Sequence, residues 1–234
     1  VLSLLRLLFR LLVVRRRSLA AWAVYLSVLA VLNSGPTGPA PEAFALTSAV
    51  LLAITTWLVM SGMVSDQATT SMLAAAAGGP RRLHLLATAA GVLAALPLAV
   101  LATLWDTAAA GTSPSRLPAA LSLGLLAHLA AVLVGAGIGT LAARPVTRDD
   151  AVALLVGAGG CLAAVGVRGS TPFWPLLAGL SDRPETNASG AEWWSAVASA
   201  AGWCAASGLW LVALAVLAGT LAGRRRAYGA AAEG

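Results

Sequence analysis

The 234-residue sequence has no lysine, and only 10% of its residues are charged, against about a quarter in ordinary globular chains. So little polar material cannot coat a water-soluble core of this size, which argues against a soluble enzyme. Cysteine is scarce too. Cys161 and Cys204 each lie in an apolar stretch and read as small buried hydrophobes, not as a disulfide or a metal pair. No His-Glu-x-x-His metal motif and no Walker-type phosphate loop occurs, and no Ser/His or paired-Asp constellation lies at matching depth. The sequence therefore predicts a non-catalytic chain that binds no cofactor of its own.

The charge that is present is one-sided. Fifteen basic residues, all arginine, stand against nine acids for a formal +6. They flank hydrophobic runs and do not form a basic face with interleaved aromatics, so the pattern fits membrane flanks and not nucleic-acid binding. The wealth of Ala, Gly and Leu without Lys points to a high-GC, actinobacterial-like bacterial genome. Arg6 and Arg10 interrupt the first apolar run, and no small-residue cleavage site precedes Arg15–Arg17. The expectation is a retained first span and no cleavable signal.

Hydrophobic residues make up 59% of the chain, and the mean hydropathy is +0.85. Six stretches approach the roughly 20 apolar residues that cross a bilayer: 19–33, 44–64, 84–104, 118–143, 151–167 and 204–222. Turn-forming sequences separate them: Asn33–Pro39, Gly78-Gly79-Pro80, Gly111–Ser115, Arg144-Pro145 and Ser181–Pro184. The predicted fold is an all-α integral membrane protein with six transmembrane helices. With both termini cytoplasmic, all arginines except Arg116, Arg168 and Arg183 fall inside, as the positive-inside rule requires. Ahead of the first span, Ser3, Arg6, Arg10 and Arg17 recur at helical spacing, which predicts an amphipathic interfacial helix over 1–17. The short apolar piece Thr171–Leu180 cannot cross and is expected to enter the membrane and return, within an external segment 168–203.

Charged side chains inside a span usually mark ion or proton pathways, and the six stretches contain none. His128 is the one ionisable group expected deep in a span, serving either packing and interhelical hydrogen bonding or substrate contact. His84 reads as interfacial, and Asp149 and Asp150 as helix-capping groups at the start of the fifth span. Without a buried carboxylate, a proton- or sodium-coupled carrier is disfavoured. Gly135-x-x-x-Gly139 and the Gly157/Gly159/Gly160 cluster predict close helix contacts.

The connection from Val64 to Arg82 can form a short helix through Ala77, capped by Ser65 or Asp66 and stopped by Gly78-Gly79-Pro80. It reads either as a surface for a cytoplasmic partner or as an extension of the second span. Hydroxyls at Thr47, Ser48, Thr55 and Thr56, together with His128, are the candidate lining of a substrate path. Trp174, Trp193, Trp194 and Trp203 are the candidates for an external aromatic collar, or for simple interfacial anchors.

On the basic leader Leu2–Arg17, the six spans, the Asp66–Arg82 connection and the long outer segment 168–203, the chain resembles the membrane subunits of type 2 ABC exporters. That resemblance covers nearly the whole chain and rests on topology, without a short signature motif. It implies a permease of the bacterial inner membrane that moves a hydrophobic or amphipathic compound. Its partners would be a second copy or a related permease, membrane lipids, and cytoplasmic ATPase subunits that hold the ATP and Mg. It further implies that Asp66, Gln67, Thr69, Thr70, Arg81 and Arg82 form a coupling helix seated on the ATPase, and that the outer segment folds back as re-entrant helices. The alternatives are a non-transporting assembly or signalling protein and a secondary carrier.

Overall fold

The computed structural model describes residues 2–14, 16–35, 39–62, 67–143, 146–147, 149–181 and 189–231, with backbone alone at 13–14, 16–17, 67–70 and 222–231. Among these residues all regular structure is helical: α1 (Leu2–Val14), α2 (Arg16–Leu32), α3 (Ala40–Gly62), α4 (Gln67–Ala77), α5 (Pro80–Ala109), α6 (Leu117–Ala142), α7 (Asp150–Gly166), α8 (Phe173–Ser181) and α9 (Gly190–Ala231). Four helices are long and apolar enough to cross a membrane: α3, α5, α6 and the Gly190–Leu221 part of α9. The other two expected spans are shorter apolar helices, Ser18–Leu32 and Asp150–Gly166. At about 1.5 Å per residue neither reaches the roughly 30 Å of a hydrocarbon core when standing straight.

The centre of the molecule is α6, lying between α3 and α9. Its small residues explain the closeness. A Cβ on Gly135 would sit on the carbonyl oxygen of Leu52, and one on Gly139 would lie 2.9 Å from the carbonyl oxygen of Thr56 and 2.8 Å from Cβ of Val59. Only bare backbone lets α3 approach so far, as small-residue stripes do in membrane helix pairs. Gly157 and Gly160 face Met60 and Ile138 in the same way, whereas Gly159 meets nothing within 4 Å. The expected packing role therefore holds for Gly157 and Gly160 and not for Gly159, which points away.

At one end of the bundle, α1, α4 and the start of α5 share a small core of Leu8, Ala74, Leu83 and Ala90. Leu8 and Leu12 of α1 are buried, one turn apart, while Arg6 and Arg10 are exposed. Part of the leader's apolar face is thus spent on protein contact, and Leu2, Leu7 and Leu11 remain outward. The end of α4 is a Schellman turn: the Gly78 amide donates to the Ala75 carbonyl and the Gly79 amide to that of Ala74. Both glycines have positive φ, 76° and 131°. Pro80 then opens α5, a position where its missing N–H costs nothing. Arg81 and Arg82 consequently belong to the first turn of α5 and not to the helix before it.

At the opposite end, α8 and the start of α9 close over α3 and α6 through Phe173, Leu176, Leu180, Trp193, Ala196 and Ala200, packed with Ala40, Phe44 and Leu123. Ser189 and Glu192 start α9 with a reciprocal capping box: the Ser189 amide donates to the Glu192 carboxylate, and the Glu192 amide to the Ser189 hydroxyl. The helix then runs unbroken from the outer segment into the last apolar stretch.

Candidate functional site

The expectation of spans free of charge needs correction. α5 continues past Leu104 to Ala109, and Asp106 in its last turns is fully buried. The inward face of α5 explains this placement: Ala95, Leu98, Ala99 and Ala102 are all buried, and Asp106 falls one turn further along the same stripe. Taking the apolar run to end at Leu104 hid it.

Asp106 lies in a polar chain that crosses four helices. Its Oδ1 accepts from Asn33 Nδ2, just beyond α2, at 3.0 Å, and its Oδ2 lies 2.6 Å from the Thr47 hydroxyl of α3. The same hydroxyl lies 3.0 Å from Nε2 of His128 on α6. Across it, Asp106 Oδ2 and His128 Nε2 are 3.9 Å apart. On its other side His128 Nδ1 is 2.7 Å from the Gly124 carbonyl and 3.2 Å from the Thr103 hydroxyl. The Tyr25 hydroxyl of α2 donates to the Thr47 carbonyl at 3.4 Å. Asp106, Thr47, Thr103 and His128 are all buried.

Apolar groups seal this chain. Phe44 meets the imidazole edge-on, with ring centroids 6.2 Å apart. A Cβ on Gly124 would press to 2.8 Å from the Phe44 ring and 3.0 Å from Thr103 Cγ2, so glycine is what allows α6 to bring its carbonyl and its histidine to this point. Burying a carboxylate without such partners costs several kcal/mol (about 2–7 even for a neutral polar group), so the hydrogen bonds to Asn33 and Thr47 are a condition of its position.

Of the five residues read as a substrate path, the structure brings Thr47 and His128 together and leaves the rest elsewhere. Ser48, Thr55 and Thr56 are buried and turn their hydroxyls back to their own helix, onto the carbonyls of Ala45, Leu51 and Leu52. Thr56 also donates toward the Gly135 carbonyl of α6 at 3.0 Å and accepts from the Cys161 thiol at 3.4 Å, a polar stitch at the closest helix crossing.

The four tryptophans face different ways. Trp193 is buried in the end core, Trp194 and Trp203 point outward, and Trp174 stacks beneath the Arg168 guanidinium at 5.3 Å. In the first turn of α5, Arg81 and Arg82 are exposed and the side-chain stem of Arg81 comes within 3.7 Å of the Cβ position at Gly219 on α9. Gln67, Thr69 and Thr70 occupy the first turn of α4 by backbone, and Asp66 lies outside the described residues. His84, expected near the membrane interface, lies four residues into α5 and is buried, with neither ring nitrogen hydrogen-bonded. Asp149 caps α7 as expected, accepting from the Ala151 amide at 2.7 Å and from Val152 at 3.4 Å. Among the described residues no group of three or more His, Cys, Asp or Glu is placed to hold a metal.

The fold defines a class: among the described residues all regular structure is helical and four apolar helices are of membrane length, the architecture of a multi-pass membrane protein. No family model matches the chain, and no curated protein or solved structure matches it either.

Proposed function

We propose that this chain is the permease subunit of an ATP-driven exporter of the bacterial inner membrane, with α2, α3, α5, α6, α7 and α9 as six spans, both termini inside and α8 as a re-entrant piece. The observation that carries the reading is the shared core of α1, α4 and the start of α5. A short helix between two long apolar ones, bolted to an amphipathic leader and followed at once by exposed Arg81 and Arg82, is suited to pass a push from a cytoplasmic motor into α5. α7 and α9 turn Leu155, Leu162 and Leu209 outward, each more than 70% exposed, which fits contact with lipid or with a second permease copy. An apolar or amphipathic cargo is part of the same proposal.

The test is accessibility in whole cells. In a background with Cys161 and Cys204 replaced by alanine, Met72→Cys on α4 should react with a membrane-impermeant maleimide only in opened cells, and Trp194→Cys in intact ones. Labelling of position 72 from outside would end the proposal. The second requirement is that the purified chain carries vanadate-sensitive ATPase activity from a bound partner, and that Arg81→Glu with Arg82→Glu releases it.

A second reading, a proton-coupled carrier, is favoured by one observation, the buried Asp106 beside His128, since such carriers depend on intramembrane carboxylates. Transport abolished by a protonophore while ATP is held constant would select it.

A further inference from the structure

The hydrogen-bond geometry around Thr47 sets a proton inventory. His128 Nδ1 sits 2.7 Å from a carbonyl oxygen, which can only accept, so Nδ1 carries a hydrogen. The Thr103 hydroxyl is engaged with the Ala99 carbonyl at 2.8 Å and has no second proton to offer. On the other side, the Thr47 oxygen has close contacts with Asp106 Oδ2 at 2.6 Å and His128 Nε2 at 3.0 Å. Each contact needs a hydrogen, and the Thr47 hydroxyl has one. The Ala43 carbonyl, 2.8 Å away, is a third claimant, but it already accepts a helical N–H and can forgo the hydroxyl. An ionised Asp106 beside a neutral His128 would therefore leave two lone pairs facing each other across one of these contacts. One further proton resolves the conflict. Two would put a net positive charge in a sealed interior, which is costly.

We propose that Asp106, Thr47 and His128 form a binding site for a single proton, which the Thr47 hydroxyl passes between carboxylate and imidazole. In one arrangement Asp106 Oδ2–H donates to Thr47 and the Thr47 hydroxyl donates to Nε2. In the other, the Oδ2–H bond has broken and an O–H bond has formed at Thr47, while the original Thr47 proton has moved to Nε2 to give an imidazolium beside a carboxylate. Proton number and net charge are the same in both. The groups facing the pair are Asn33 and Tyr25 from the α2 side, Phe44 and Thr47 from α3, Thr103 from α5 and Gly124 from α6; Tyr25 is the third titratable group. The site lies 26 residues along α5 from Pro80, about 39 Å from the end that carries Arg81 and Arg82. It is independent of whether ATP or a gradient drives the protein.

The full-length chain in lipid nanodiscs, labelled with nitrogen-15 histidine, supplies the test. Infrared absorption reads a protonated carboxyl, assigned by its loss in Asp106→Asn, and nitrogen NMR reads the His128 ring, separated from His84 by His84→Asn. Near neutral pH one of the two signals is expected: a protonated Asp106 with a neutral ring bearing hydrogen at Nδ1, or an imidazolium with an ionised Asp106. Neither signal, or both at full strength, overturns the single-proton site. On pH titration the two signals should move together in the native chain and in Thr47→Ser, and separately in Thr47→Val. Joint movement in Thr47→Val overturns the relay.

Discussion

Asp106 Oδ2 and His128 Nε2 stand 3.9 Å apart on α5 and α6, too far for a direct hydrogen bond, and the Thr47 hydroxyl of α3 fills the gap. Three helices are thereby joined at one oxygen atom. The arrangement makes the chemistry of position 106 unusually easy to probe.

Asp106→Asn should be well tolerated, because an amide N–H can donate to Thr47 where the acid would, and the amide oxygen can still accept from Asn33. Asp106→Ala leaves Asn33 and Thr47 without their partner, and a buried unsatisfied group costs about 1–3 kcal/mol. Thermal unfolding of both variants in the same detergent should rank them in that order. A destabilisation by Asn equal to that by Ala would mean that the site needs the negative charge.

Glycines of α6 and α7 offer a matched comparison. Gly139→Val drives a side chain into Val59 and the Thr56 carbonyl, and overpacking of this kind costs about 1–3 kcal/mol or more. Gly159→Ala meets open space and gains up to about 1 kcal/mol of helix propensity. Melting temperatures should therefore move in opposite directions, and a neutral Gly139→Val would show that α3 and α6 are not so close.

Neighbouring tryptophans should behave unlike each other. Trp193→Ala empties the core formed with Phe173 and Leu176, for which about 3–5 kcal/mol is the usual loss, while Trp194→Ala removes an outward ring and should leave the melting temperature nearly unchanged. Equal losses would place both rings in the same environment.

Asp149→Ala removes the cap of α7 and should cost about 1 kcal/mol. Hydrogen exchange provides the local readout: the amides of Ala151 and Val152 should exchange faster, with those of α3 and α6 unaffected.

Much of this architecture is legible in local chemistry. The stop at Gly78-Gly79-Pro80, the cap at Asp149 and the contact glycines of α6 each follow from what one or two residues can do by themselves. The polar chain is different, because its members lie at positions 33, 47, 103, 106, 124 and 128, and no periodicity within one helix announces that they meet. A signal did exist for Asp106: it continues the stripe of Ala95, Ala99 and Ala102, and a helix presents that stripe inward whatever the side chain. Ending a span at its last apolar residue discards such positions. The placement of Trp193 was hidden for a related reason, since Trp193 and Trp194 are equivalent by composition, and only the register of α9 distinguishes them. That register is set by Ser189 and Glu192, a spacing visible in the sequence.

The 42 residues of α9 form one rod of about 63 Å, roughly twice the thickness of a hydrocarbon core. A stiff beam that rests on α6 along its middle acts as a lever: whatever tilts the tail beyond Gly219 swings Trp193 and its neighbours the opposite way. One element therefore ties the two ends of the bundle together with no joint between.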